Sequence, residues 1–190
     1  MKNKLFAIAL FCSVQAFSQQ SESRTRLTTI ASVGLVAGES SAKPLIQLSG
    51  GFSYGRYFSG IGIGMDQYRF NSIPLFADWR INWGKARLGF VYANAGYNFP
   101  VKNKSSTGGW SNTTDRFIGG FYADAGIGYR IRLSNPMHRL LFSAGYSQKT
   151  IRNEIGYTYE CFVAPCPEQI YTYKYELGRI VAKFSWEFGR

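Results

Sequence analysis

Hydrophobic and polar residues alternate along most of this chain. From Phe121 to Leu133 the odd positions are apolar or aromatic, and the even positions are nearly all polar or glycine. A period of two held over thirteen residues predicts a strand with one apolar and one polar face. Such a strand exceeds the usual length in soluble sheets and is long enough to cross a hydrocarbon layer when tilted.

Eight alternating segments can be drawn, and we expect them to be the strands of one sheet. They run Arg26–Ala37, Leu45–Tyr54, Gly60–Phe70, Ile73–Asn82, Ala86–Phe99, Phe121–Leu133, Arg139–Thr150 and Tyr175–Phe188. The pattern is less regular in the first three, where Ile30 and Val36 occupy positions expected to be polar. The eighth changes phase near Gly178, which predicts a β-bulge or a later strand start.

The connections between these segments differ in length. Three are tight, around Gly55-Arg56, Trp83-Gly84-Lys85 and Ser134-Asn135-Pro136-Met137, and they alternate with connections that include two long ones, Pro100–Gly120 and Ile151–Lys174. Short turns alternating with longer loops are typical of outer-membrane barrels, with the turns periplasmic and the loops outside. We therefore predict an all-β, eight-stranded, antiparallel transmembrane β-barrel of up-and-down topology, with strand one pairing strand eight and both termini periplasmic.

The aromatic residues fall into two groups at the predicted strand ends. With this topology one group lies at the periplasmic rim and comprises Tyr57, Trp83, Trp186 and Phe188. The other lies at the outer rim and comprises Tyr97, Phe99, Phe121 and Tyr173. Two belts of amphipathic rings are expected where a barrel meets lipid headgroups.

The polar face separates a membrane barrel from a soluble ligand-binding barrel, which would show the same period with its apolar face inward. That face carries charges of both signs, which we expect to form an interior charge network: Asp66, Asp78, Arg80, Asp124, Arg130, Arg132, Lys183 and Glu187. Eight strands enclose only enough room for side chains, so opposite charges can pair across the interior. The apolar face is almost uncharged through the strand middles, which favours the membrane barrel.

The N-terminus has the pattern of an export signal. Lys2 and Lys4 precede the short apolar run Leu5–Cys12, and Ala16-Phe17-Ser18 places small residues at the cleavage site. We predict a signal peptide over 1–18 and a single barrel domain over 19–190. No later stretch reaches the length of consecutive apolar residues that a transmembrane helix requires.

The charge balance points to a membrane surface. Without the predicted signal peptide, 20 basic and 11 acidic residues remain, a net charge of +9. The basic residues are spread singly along the alternating segments and export removes the chain from nucleic acid, so we expect no nucleic-acid partner. Electrostatic contact with outer-membrane lipid and anionic lipopolysaccharide is the better inference.

Few residues suggest chemistry. Cys161 and Cys166 in CFVAPC lie in an exported chain, where a short-loop disulfide is favoured over a metal or redox pair.

The only histidine, His138, lies beside a predicted periplasmic turn, which leaves a lipid-hydrolysing serine without a base near the outer leaflet. Asp66, Asp78 and Asp124 have arginine neighbours that favour salt bridges over a metal site. We expect no enzymatic site, metal or cofactor.

Four segments resemble the small bacterial outer-membrane β-barrel domain proteins, similar in architecture to OmpX and to the barrel of OmpA. They are IPLFADWRIN (Ile73–Asn82), ARLGFVYANAGYNF (Ala86–Phe99), GGFYADAGIGYRIRL (Gly119–Leu133) and RIVAKFSWEF (Arg179–Phe188). The resemblance implies insertion by the barrel-assembly machinery, although Gly189-Arg190 follow the terminal aromatic residue that such barrels often end on. We expect a monomer.

Three functions remain open at this point. The first is a structural or surface-interaction role, because polar, tyrosine-rich loops suit adhesion or ligand contact. The residues concerned are the polar loop VKNKSSTGGWSNTTDR and a tyrosine-rich edge through Tyr157, Tyr159, Tyr171, Tyr173 and Tyr175. An equally good interpretation of those tyrosines is that they continue the last two strands above the membrane. The alternatives are a narrow pore for ions or small solutes, or a lipid-modifying outer-membrane enzyme.

Overall fold

The computed structural model describes residues 25–39, 41–84, 86–101, 105–107, 111–135, 137–159 and 168–189. The predicted signal peptide, 1–18, and the predicted disulfide between Cys161 and Cys166 lie outside the described residues, and both stay predictions. The described ranges form ten strands: β1 (Arg26–Ala37), β2 (Ala42–Tyr54), β3 (Tyr57–Asp66), β4 (Ser72–Trp83), β5 (Gly89–Pro100), β6 (Ser105–Thr107), β7 (Ser111–Ile118), β8 (Gly120–Arg132), β9 (His138–Tyr159) and β10 (Glu168–Gly189).

Eight of the ten strands close into one antiparallel barrel. The hydrogen-bonded order is β1-β2-β3-β4-β5-β8-β9-β10, and β10 returns to pair with β1. That closing pair runs without interruption from Thr28↔Gly189 to Ala37↔Ile180. The predicted eight-stranded closed barrel, with its first strand pairing its last, is confirmed. The described part of the chain contains no helix long and apolar enough to span a membrane.

The two ends of the barrel differ. The turn end carries the connections 55–56, 84–88 and 133–137, and it also carries the start of β1 and the end of β10. The loop end carries the connections 38–41, 67–71, 101–119 and 160–167. At the connection after β3, Asp66 Oδ1 accepts the backbone N–H of Tyr68 at 2.9 Å, which ends the strand earlier than the predicted Phe70.

The barrel wall continues above the loop end as a small sheet. β9 and β10 are 22 residues each and stay paired beyond the other strands, up to Glu168↔Thr158. β7 pairs with the outer part of β9, from Ile118↔Arg152 to Ser111↔Tyr159, and β6 pairs with β7. We call β6, β7, Arg152–Tyr159 and Glu168–Lys174 the loop-end sheet. Of the two interpretations of the tyrosine-rich edge, the one in which the tyrosines continue the last two strands is confirmed, since β9 extends to Tyr159 and β10 begins at Glu168. The interpretation of Ser111–Ile118 as loop is wrong, because this segment gains a strand partner from β9.

Alternation places apolar side chains on the outside of the barrel and mostly polar ones in the lumen. Ile61 and Ile180 are 72% and 67% exposed, as expected for a wall that faces lipid. The lumen also holds an apolar cluster near the loop end, formed by Val36, Leu45, Tyr68, Leu177 and Val181. The first strands looked irregular because Ile30 and Val36 are apolar residues that point inward and are buried; Val36 belongs to this cluster.

The predicted bulge near Gly178 is absent. β10 pairs with β9 in unbroken register from Glu168↔Thr158 to Phe188↔His138. Burial alternates regularly from Leu177 onward, with the odd residues inward. The apparent change of phase arose because two inward residues, Leu177 and Val181, are apolar members of the lumen cluster.

The aromatic belts have the predicted composition except at one position. Tyr57, Trp83, Trp186 and Phe188 are exposed on strands that reach the turn end. Tyr97, Phe99 and Phe121 are exposed near the loop end. Tyr173 has the same parity as the buried Leu177 and lies in the loop-end sheet, so it is displaced from the lipid-facing belt.

Candidate functional site: a bridged barrel lumen

The charged residues of the lumen form three clusters along the barrel axis. The loop-end cluster centres on Asp66, the last residue of β3. Asp66 Oδ2 accepts from Arg179 Nη1 of β10 and lies 3.2 Å from Lys149 Nζ of β9. All three side chains are completely buried. Arg179 also donates to Ser147 Oγ at 2.8 Å, so the carboxylate and both cations are held by several strands at once.

Lys149 ties the loop-end cluster to the far wall. Its Nζ donates to the carbonyl oxygen of Phe70 at 3.0 Å and to Ser72 Oγ at 3.1 Å. Three acceptors around one ammonium satisfy the three donors that lysine carries. A buried lysine with this complement can remain charged inside the barrel.

The central cluster joins four strands. Lys183 Nζ of β10 lies 2.5 Å from Asp124 Oδ2 of β8, and Tyr92 Oη of β5 donates to Asp124 Oδ1 at 2.9 Å. Gln47 of β2 completes the cluster, because its Oε1 accepts from Lys183 at 3.3 Å while its Nε2 donates to Tyr122 Oη at 2.8 Å. The ammonium of Lys183 also lies 4.0 Å from the centroid of the Tyr92 ring, within cation–π range.

The third group, the turn-end cluster, lies close to the turns. Glu187 of β10 accepts from Arg130 of β8 at 2.8 Å and from Arg139 of β9 at 2.6 Å. On the other side of the lumen Asp78 and Arg80 of β4 form a pair with two parallel bonds, at 3.0 and 2.8 Å. Such bidentate pairs are among the stronger charge-assisted contacts.

Seven of the eight charged residues expected in the interior are buried there and ion-paired: Asp66, Asp78, Arg80, Asp124, Arg130, Lys183 and Glu187. The eighth, Arg132, is exposed at the end of β8, and its guanidinium donates to the carbonyl oxygen of Ala86 in a neighbouring turn. Its placement in the interior was wrong because β8 reaches its end at this residue, where water is accessible.

Sequence reasoning missed three cations of the lumen: Arg139, Lys149 and Arg179. Arg179 was hidden by the assumed phase change near Gly178. Lys149 has the same parity as Leu141 and Ser147, which are buried, so the alternation of β9 alone could have found it.

Two of these contacts join opposite walls of the barrel. Gln47 and Tyr122 belong to β2 and β8, and Asp66 and Lys149 belong to β3 and β9, each pair four strands apart in the closed order. An eight-stranded barrel has an interior only as wide as its side chains. Side chains therefore meet across the full diameter of the lumen at two levels.

Neither an acid–base site nor a metal site stands out among the residues that the structure describes. His138 accepts a hydrogen bond from Trp186 Nε1 at 3.1 Å and contacts the ring of Phe188, at the turn end. Among the described residues, no group of three or more histidine, cysteine, aspartate or glutamate side chains is arranged to hold a metal ion.

Comparison with solved structures agrees with the barrel fold. The solid-state NMR structure of the outer membrane protein AlkL in DMPC lipid bilayers matches with a TM-score of 0.53 at 11% identity, covering 91% of this chain and 93% of that one. The translocator domain of the autotransporter NalP from Neisseria meningitidis covers 98% and 95% at 12% identity, but its TM-score of 0.30 is too low to support an argument. No family model and no curated protein matches. The chain has the fold of a small outer-membrane β-barrel.

Proposed function

We propose that the protein resides in the bacterial outer membrane as a closed barrel and acts through its loop-end sheet, which contacts other molecules at the cell surface. The observation that carries the proposal is the pair of contacts across the lumen, Gln47–Tyr122 and Asp66–Lys149. A lumen bridged in this way does not favour the passage of solutes, so the part of the molecule available for function is its surface.

The loop-end sheet supports a contact role by its size and composition. Eight residues of β9, Arg152–Tyr159, pair with β7 above the barrel, which corresponds to a height of about 25 Å along the strand. On β10, Ile170, Tyr171 and Tyr173 are exposed to 62%, 47% and 49%. Tyrosine rings on a rigid sheet offer large, amphipathic contact area with few rotatable bonds.

The base of the sheet is anchored to the barrel. The Tyr175 ring packs at 5.3 Å from Phe70, and Phe70 packs at 5.2 Å from Phe117. The guanidinium of Arg69 lies 5.3 Å from the centroid of the Tyr175 ring. These contacts join the sheet to the loop-end connections, so it is presented in a fixed orientation.

The difference between the two ends of the barrel supports an orientation in which the turn end faces the periplasm and the loop end faces outward. Short turns lie at one end, while the sheet and the long connections lie at the other, as in barrels whose turns are periplasmic and whose loops are outside. The proposed orientation places the loop-end sheet outside and the termini in the periplasm.

The experiment compares cells that display the intact protein with cells that display a shortened one. Replacing residues 153–173 by Asn-Gly would join Arg152 to Lys174, which are register partners, through a two-residue hairpin turn. We expect attachment to protein- and glycan-coated surfaces to fall in the shortened variant while the barrel stays folded and heat-modifiable on gels. Equal attachment by both cell types would contradict the proposal.

A point variant tests the tyrosine face directly. Tyr171→Ala/Tyr173→Ala removes two rings from one face of β10, and Thr172→Ala/Lys174→Ala alters the opposite face of the same segment. We expect the first double variant to lower attachment and the second to leave it unchanged. Equal effects of the two variants would mean that the tyrosine face has no special role.

A further inference from the structure

The turn end of the barrel carries a group of neighbouring arginines that the lumen network does not use. Arg87 donates to the carbonyl oxygen of Gly55 at 2.9 Å, which places its guanidinium beside the turn that bears Arg56. Arg132 donates to the carbonyl oxygen of Ala86, the residue before Arg87. We call Arg56, Arg87 and Arg132 the basic rim; all three are exposed.

The charge of this end is unbalanced. Arg26, at the start of β1, is also exposed, which adds a fourth cation at the same end. The acidic side chains that the structure describes near this end, Asp78 and Glu187, are buried and already ion-paired. The loop end carries exposed charges of both signs, among them Lys174 and Glu176, which pair at 2.5 Å. The acidic side chains that the structure describes therefore leave the positive charge of the basic rim without a partner.

The basic rim lies at the depth of the turn-end aromatic belt. Tyr57, which follows Arg56 directly, is 53% exposed. Trp83 is exposed as well, and its indole lies against Gly89, two residues after Arg87. Exposed tyrosine and tryptophan rings mark the level of lipid headgroups in membrane proteins. Guanidinium groups immediately beyond such a belt can reach phosphate oxygens, to which arginine binds through paired hydrogen bonds.

We propose that the basic rim binds the phosphate headgroups of anionic phospholipids in the leaflet at the turn end. The chemistry is a group of three exposed guanidinium groups, two of them held by backbone carbonyls, facing a surface that offers phosphodiester oxygens and net negative charge. The inference rests on the membrane insertion in the proposed function, but it depends neither on the loop-end sheet nor on which side of the membrane the turns occupy.

Quenching of Trp83 by brominated lipids tests the proposal. The full-length protein with Trp79, Trp110 and Trp186 replaced by phenylalanine keeps Trp83 as its reporter beside the rim. It is reconstituted in phosphatidylcholine vesicles that contain increasing brominated phosphatidylglycerol, or brominated phosphatidylcholine for comparison. We expect roughly fivefold stronger association of phosphatidylglycerol, the size of effect that one basic residue near an anionic surface produces. The preference should weaken in 1 M salt, where the screening length is about 3 Å.

The variant that removes the rim is Arg56→Gln/Arg87→Gln/Arg132→Gln. Its matched control removes three exposed cations from the loop end, Lys43→Gln/Arg116→Gln/Arg152→Gln, with the same change in net charge. We expect the preference for phosphatidylglycerol to disappear in the rim variant and to persist in the control. A rim variant with lysine at all three positions should keep most of the preference for phosphatidylglycerol, because it keeps the positive charge. This variant tests whether the glutamine variant loses its preference through altered turns instead of through lost charge.

Three results would overturn the proposal. The first is equal quenching by the two lipids in the parent protein. The second is a preference that survives in the glutamine variant of the rim or is lost equally in the loop-end control. The third is saturable binding of soluble peptidoglycan fragments at the rim in place of lipid. None of these results would affect the attachment experiment, so failure here and failure of the surface-contact role are distinguishable.

Discussion

Replacing Asp66 by asparagine removes the single anion of the loop-end cluster. Asp66 balances two cations, Arg179 and Lys149, and all three side chains are completely buried. Asparagine keeps the shape and one acceptor oxygen, so the main change is the loss of charge. Breaking a buried ion pair by removal of one partner costs about 3–5 kcal/mol, because the remaining charge is left uncompensated. We expect Asp66→Asn to lose stability in that range.

A double-mutant cycle separates electrostatics from packing. Lys149→Met leaves Asp66 paired with Arg179, so its own cost should be smaller than that of Asp66→Asn. In the double variant one of the two uncompensated cations is gone. The loss should therefore be less than the sum of the single losses, by about 0.5–3 kcal/mol, the range of coupling between contacting residues.

The assay is reversible urea unfolding in thin-bilayer vesicles, followed by tryptophan fluorescence and by the heat-modifiable shift on gels. The slope of the free energy of unfolding against urea should stay constant, because the surface exposed on unfolding does not change. A loss below about 1 kcal/mol for Asp66→Asn, or additive losses in the double variant, would refute the account of Asp66 as a charge-balancing residue.

Three further predictions concern other parts of the barrel. Lys183→Met leaves a completely buried carboxylate without its cation, and we expect a loss of about 3 kcal/mol in the same urea assay. Gly96→Ala would place a Cβ against backbone atoms of β4, whereas Gly50→Ala meets nothing within 4 Å; we expect slower or failed barrel formation on gels for the first and nearly wild-type behaviour for the second. Cys161→Ser/Cys166→Ser should leave the heat-modifiable barrel band unchanged and make the segment between β9 and β10 more protease-sensitive, and two free thiols in the native protein would rule out the bridge.

The strands of the barrel were predictable because lipid imposes a strict alternation. The predicted Arg26–Ala37 agrees with β1 at both ends, and the other segments fall within a few residues of their strands at the turn end. Above the loop end that constraint is lifted, since both faces of the sheet meet water. There the tyrosine-rich edge allowed two interpretations, loop or continued strand. The segment that forms β7 was assigned to a loop, although pairing with β9 makes it a strand.

The sequence predicted that the lumen is lined by charged side chains, but not how these charges pair. Parity along the strands identified most of the inward charges, but it could not say which charges pair. Arg179 and Asp66 are 113 residues apart in the chain and meet only because the barrel closes. Arg132 has no feature in the sequence that separates it from Arg130; the difference lies in where β8 ends. The basic rim could not be predicted either, because its arginines come from two separate connections and from the end of β8.

The most direct test of the closed lumen is single-channel recording of the folded, full-length protein in planar bilayers. We expect no steady conductance from the parent protein, since its lumen is bridged by Gln47–Tyr122 and Asp66–Lys149. A variant with Tyr122→Ser and Lys149→Ser, which shortens one member of each bridge, should show more conductance than the parent and serves as the positive control. A stable, reproducible conductance of the parent protein, unchanged in that variant, would contradict the closed barrel and favour the pore.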